Sequence, residues 1–154
     1  MNKMIVDEMD RDDLTALILR AKRRAGLSWD QIAARIGKSA VWTHSAATGM
    51  NAFPKDSAEA FVALLGLPES AIPLLVESPL KVWTQAVPTD PCIYRFYEVV
   101  GVYGPTLKAL INEEFGNGIM SEIDFSMHVE REANPRGDRV KVTMSGKYLE
   151  YANW

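Results

Sequence analysis

Arg95 and Glu98 stand three residues apart in the stretch IYRFYEVVGVYG, among Tyr94, Phe96, Tyr97, Val99, Val100 and Val102. On a helix that spacing puts both side chains on one face, where they can meet. As a surface ion pair they contribute only a few tenths of a kcal/mol. That is the default reading of such a pair, and against it stand the aromatic neighbours, which suggest a face at least partly buried. A guanidinium in such surroundings needs a planar, oxygen-bearing partner, and a small anion supplies one as well as a carboxylate does. The other chemistry-bearing residues are isolated. His44 and His128 have no cysteine or second histidine near them in the sequence, so no metal site is expected. Cys92 has no base paired with it and reads as a buried spectator thiol. Ser121, in GIMSEI, taken by itself reads as a turn residue or cap.

These residues need elements to hold them, and the chain has two halves of different pattern. Up to about Pro79 it reads as five short helices. RDDLTALILRAKRRAG puts Leu14, Leu17, Ile18 and Ala21 on one face and closes at Gly26. LSWDQIAARIG has a capping-box pattern at Ser28 and Gln31, with Ile32 and Ile36 as the buried stripe and Gly37 as the stop. A third helix opens at Ser39 and stops at Gly49. A fourth is capped by Asp56 or Ser57 and ends at Gly66. The last starts near Ser70, is kept short by Pro73, and packs Ile72, Leu74, Leu75 and Val76. The expected domains are a helical bundle over 1–79, a proline-rich connector over 80–87 and a second domain over 88–154.

In the second domain Asp90 and Pro91 suit an N-cap and first helical residue. Gly101 and Gly104 are expected to loosen the helix, and Pro105 to start another that Gly116 ends. The period then changes to two. Ile123, Phe125, Met127 and Val129 alternate with polar residues, a strand with one buried face. REANPRGD is a turn, RVKVTM a second strand, and SG a tight turn into KYLEY. The fold class is therefore α+β. So short a ribbon has no adequate core of its own, so it must pack on the preceding helices or on another chain's copy.

Composition sets outer limits. The 154 residues are 47% apolar and 24% charged, with a net charge of -3, which suits a globular protein and gives no global electrostatic reason to expect nucleic acid. The single cysteine cannot form an internal disulfide, which points to a reducing cytoplasm. No stretch approaches a membrane span or a signal peptide, so no membrane partner is expected. Residues 27–49 fit a helix-turn-helix, whose second helix would enter the major groove if it read DNA. From Ser39 to Gly49, however, there is no Arg or Lys to bond guanine. Lys22, Arg23 and Arg24 suit a helix C-terminus without any phosphate. A DNA-binding regulator with an anion-sensing second domain is thus the rival to an enzyme, disfavoured by that uncharged helix.

The run PTDPCIYRFYEVVGVYGPTLKALINEEFGNGIMSEIDF, from Pro88 to Phe125, closely resembles the cyanase (cyanate hydratase, cyanate lyase) family, and the likeness continues to SGKYL. The N-terminal half matches in pattern, since that family carries a helix-turn-helix-like domain that is not a DNA reader. The resemblance implies bicarbonate-dependent decomposition of cyanate to ammonia and carbon dioxide through carbamate. The family's catalytic arginine, glutamate and serine fall on Arg95, Glu98 and Ser121, all unsubstituted. It implies no cofactor beyond bicarbonate as co-substrate. It also implies a homo-oligomer, a decamer built from dimers with interlocked C-terminal domains and active sites between subunits.

Overall fold

Residues 9–80 and 86–152 are described by the computed structural model. The first unit holds five helices: α1 (Arg11–Ala25), α2 (Trp29–Ile36), α3 (Ala40–Ala47), α4 (Lys55–Leu65) and α5 (Ala71–Val76). Their ends follow the predicted chemistry. Ser28 and Gln31 form the expected reciprocal box at 3.1 and 2.8 Å, and the Asp10 side chain, not named from the sequence, caps α1 by accepting from the Asp13 amide. Gly26, Gly37 and Gly66 close α1, α2 and α4 in the left-handed region that favours glycine. One start differs from expectation. Helix α4 begins at Lys55 behind Pro54, whose carbonyl accepts the first helical bond from Ala58 at 2.9 Å, so Asp56 lies in the first turn and does not cap.

Leu14, Ile18, Ile32, Phe53, Phe61, Leu65 and Leu75 are buried in a single core. Of the α5 residues expected inside, Ile72 and Leu74 only lean on that core and Val76 is exposed. Arg11 adds a polar tie. Its guanidinium donates to the Leu74 carbonyl at 3.2 Å and to the Ala46 carbonyl, linking the start of α1 to α3 and α5. Partial burial pulls its pKa below the usual arginine range.

The second unit is built on α6 (Pro91–Phe115) with the adjoining parts of β1 (Gly118–Glu132) and β2 (Arg139–Glu150). Asp90 caps α6, accepting from the Cys92 and Ile93 amides at 2.9 Å, with Pro91 at the first turn. The break expected at Gly101–Pro105 does not occur, and α6 runs unbroken for 25 residues. Proline removes one helical bond and presses on the carbonyl four residues back. Here that residue is Gly101, exposed and with open space around it, so its carbonyl can tilt aside into water.

Strands β1 and β2 form a two-stranded hairpin. At its base the Tyr151 amide donates to the Asn117 carbonyl at 3.1 Å, and at its tip the Gly137 amide donates to the Asn134 carbonyl at 3.0 Å. The turn expected at Ser145–Gly146 is absent, and β2 passes straight through. Gly146 serves close approach instead: a Cβ there would lie 2.5 Å from the Ser121 carbonyl oxygen. The expected buried face of β1 is only partly realised. Phe125 and Met127 are half-buried, whereas Val129 is exposed and Ile123 is 98% exposed. The residues of the proline-rich connector over 81–85 lie outside the described part of the chain.

Replacing Arg11 by methionine keeps the aliphatic stem and removes both carbonyl ties. The expected loss is about 2 kcal/mol of unfolding free energy, within the range for hydrogen bonds from charged groups. Urea denaturation of the full chain measures it.

Candidate active site

Helix α6 brings Arg95 and Glu98 together as their spacing predicts. The Arg95 Nη1 donates to the Glu98 Oε2 at 2.6 Å, a charge-assisted bond between adjacent turns. The partly buried face expected there is not found within one chain. The two side chains are 71% and 41% exposed, and no residue of α6 is buried. Tyr94 and Tyr97 pack on each other, with ring centroids 5.9 Å apart, yet both remain exposed. In water such a pair contributes little, and its guanidinium is open to a second planar partner.

Ser121 presents the opposite case. It is 4% exposed, one of few buried polar residues, and it lies inside β1, not in a turn before it. Its Oγ accepts from the amides of Ile123 and Asp124, both at 3.1 Å. In an extended strand the amide three residues on is about 10 Å away. The chain must therefore fold back between Ser121 and Asp124, a bulge pinned by the serine's own side chain. That local fold carries Ile123 out to solvent and breaks the alternation. It also fits the lengths of the strands, fifteen residues in β1 against twelve in β2.

A hydroxyl has two acceptor sites and one proton to give. With both acceptor sites taken by backbone amides, Ser121 keeps its O–H for donation. This is a poor arrangement for a nucleophile, since no base holds that proton, and a good one for a fixed hydrogen-bond donor. Among the described residues no hydrogen bond joins Ser121 to Arg95 or Glu98.

His44 packs edge-on against Trp29 with centroids 5.0 Å apart, and His128 lies along β1. Among the described residues no group of three His, Cys, Asp or Glu side chains could hold a metal ion. Cys92 is exposed and not buried as expected, in line with a helix α6 none of whose residues is buried among the described residues. Among the described residues no helix is long and apolar enough to cross a membrane. The bulge itself was missed from the sequence. Its one signal was a glycine, Gly146, inside a strand pattern, which marks a bulge or a close backbone approach as often as a turn.

Comparison with known proteins covers the chain almost end to end. Residues 11–79 match the family model described as "Cyanate hydratase, N-terminal", and residues 85–153 match "Cyanate lyase C-terminal domain". A cyanate hydratase of Marinomonas sp. is 53% identical over 146 residues, which span 95% of this chain and 100% of the relative. One of Mycolicibacterium vanbaalenii is 55% identical over 145 residues, 94% of this chain and 95% of its own length. Among solved structures, a cyanase from T. urticae superposes with a TM-score of 0.79 at 34% identity, covering 90% of this chain and 97% of that one.

Proposed function

The chain belongs to the cyanate hydratase family, and on that premise we propose that it is a lyase that decomposes cyanate with bicarbonate as co-substrate. The observation that carries the reading is the Arg95–Glu98 pair, a guanidinium oriented by a 2.6 Å bond and otherwise open to an anion. An oxygen of bicarbonate bonds to the cyanate carbon. One proton is taken up as carbamate and carbon dioxide separate. A second is consumed when carbamate splits into ammonia and another carbon dioxide. Bicarbonate brings its own oxygen nucleophile, so the protein has no water or serine to ionise, and catalysis rests on proximity and fixed electrostatics.

Arg95 holds substrate anion, Glu98 orients Arg95, and Ser121 donates its free O–H to cyanate or to the developing oxyanion. The two substrates repel. At ~4 Å two unit charges cost about 1 kcal/mol in water and about 4 kcal/mol at an effective dielectric of ~20. A single arginine in the motif of each chain is a thin supply against that. A site formed where copies of this chain meet presents several guanidinium groups and excludes water. The bare state of α6 supports such an assembly: Ile93, Phe96, Val100 and Leu110 are all more than half exposed. We place the C-terminal units as interlocked dimers that build a decamer, working in the cytoplasm. The helix-turn-helix serves assembly and not DNA, because α3 carries no Arg or Lys.

Purified protein given cyanate should release ammonia only when bicarbonate is present, and with labelled bicarbonate half of the carbon dioxide should carry the label. Ammonia release without bicarbonate would overturn the mechanism. Arg95→Lys should lower turnover at least tenfold, since it removes the planar fork. Light scattering should give a mass near ten chains, and a monomer that is active at assay concentration would rule out a site between subunits. Cyanate has three heavy atoms, so its affinity should be no tighter than roughly 0.5 mM.

A further inference from the structure

We infer that Gly146 is a positioning residue for Ser121, an inference that rests on the donor role proposed above for that serine. Ser121 can point its proton outward only while β1 stays folded back on itself, with the Ile123 and Asp124 amides on Oγ at 3.1 Å. What lies behind that bulge is Gly146 of β2. A Cβ at this position would stand 2.5 Å from the Ser121 carbonyl oxygen, 2.5 Å from the Met120 Cγ and 3.3 Å from the Phe125 Cδ2. The methionine and phenylalanine side chains can swing away. The carbonyl cannot move without carrying the peptide of Ser121 with it. Contacts under 3.0 Å force a shift, so any side chain at 146 displaces the serine.

The demand for glycine here is steric and not conformational. Gly146 lies in extended strand and is absent from the glycines with positive φ. Turn chemistry therefore does not explain it, and the space it leaves empty is the space the Ser121 backbone fills. Gly118, on the same hairpin, is equally crowded but against a different neighbour. Its Cβ would lie 2.2 Å from the Leu149 carbonyl oxygen and 2.6 Å from the Tyr148 Cε2. The two glycines separate damage to the hairpin in general from displacement of the serine in particular.

The test is a mutant cycle on the full-length protein, read as ammonia release from cyanate and bicarbonate. Misplacing a reacting group by ~1 Å costs on the order of 100-fold in rate, so Gly146→Ala should lower kcat by tenfold to a hundredfold. If it acts through the serine, Ser121→Ala with Gly146→Ala should lose no more than Ser121→Ala alone. Gly118→Ala should instead lower stability and multiply with Ser121→Ala. A Gly146→Ala variant within twofold of the unaltered protein, or one whose effect multiplies fully with Ser121→Ala, overturns the inference. Hydrogen exchange at the Ile123 and Asp124 amides gives a readout that needs no turnover. It should accelerate in folded Gly146→Ala, and unchanged exchange overturns the positioning role. If Ser121→Ala itself keeps full activity, the donor role fails, and the exchange experiment still decides whether Gly146 holds the bulge. Should Gly146→Ala not fold, both readouts move to Met120→Ala with Gly146→Ala, where the side-chain part of the collision is relieved and the carbonyl contact remains.

Discussion

A helix cannot stay in water with apolar side chains on every side, and that constraint governs the C-terminal half of this protein. Helix α6 is 25 residues long and buries none of them. The hairpin beside it has two strands, fewer than an independent sheet needs, and it leaves Ile123 and Val140 almost bare. Buried apolar surface contributes roughly 25 cal/mol per Å². A surface of this extent is therefore a large favourable term that one chain leaves unrealised. Apolar all round is the pattern of a helix enclosed on all sides. Among the described residues none of α6 is buried, and the assembly proposed above would supply the cover.

The same constraint shapes the electrostatics. Arg95 and Glu98 together carry no net charge, so one pair in water offers two anions little. The pair is a dipole, and its use depends on which end faces the ligand and on how little water intervenes. Enclosing α6 lowers the local dielectric and strengthens both the bond between the pair and the attraction of guanidinium for anion. It also raises the cost of pushing like charges together, which is why donors without charge matter. Ser121 fits that need. Its acceptor sites are already filled by backbone, which leaves the O–H free to donate in the role proposed for it.

Much of this was legible in the sequence where the signal was local. Helix α1, the Ser28–Gln31 box, the terminating glycines and the Asp90–Pro91 start of α6 follow from side chains within four residues of one another. The Arg95–Glu98 contact is of the same kind. The misreadings came where a distant segment decided. Gly146 reads as a turn in sequence because the residue that needs it to be small, Ser121, lies 25 positions away. Pro105 was expected to divide a helix that continues, because an exposed Gly101 carbonyl can give way. The alternation of β1 failed at Ile123 because a serine side chain captured two backbone amides, a competition that periodicity does not register. The burial expected around Arg95 was inferred from its neighbours' types, and type tells what wants covering, not what covers it.

The two units thus solve the problem of stability differently. The five short helices close a core of their own, sealed by caps and by the Arg11 ties, and owe nothing to other chains for their apolar contacts. The C-terminal unit has the chemistry and lacks the core. Had the candidate site been built on the self-sufficient unit, its arginine would be fixed by local packing and surrounded by water on its open side. Built on the needy one, it becomes water-poor only when the apolar surface around it is covered. On the proposed reading, folding, assembly and anion binding would draw on one set of contacts, and anything that binds the assembled form would stabilise it by mass action. A site for two small, well-hydrated anions, as proposed above, would gain from such an arrangement, because assembly would supply the exclusion of water that such small ligands cannot supply for themselves.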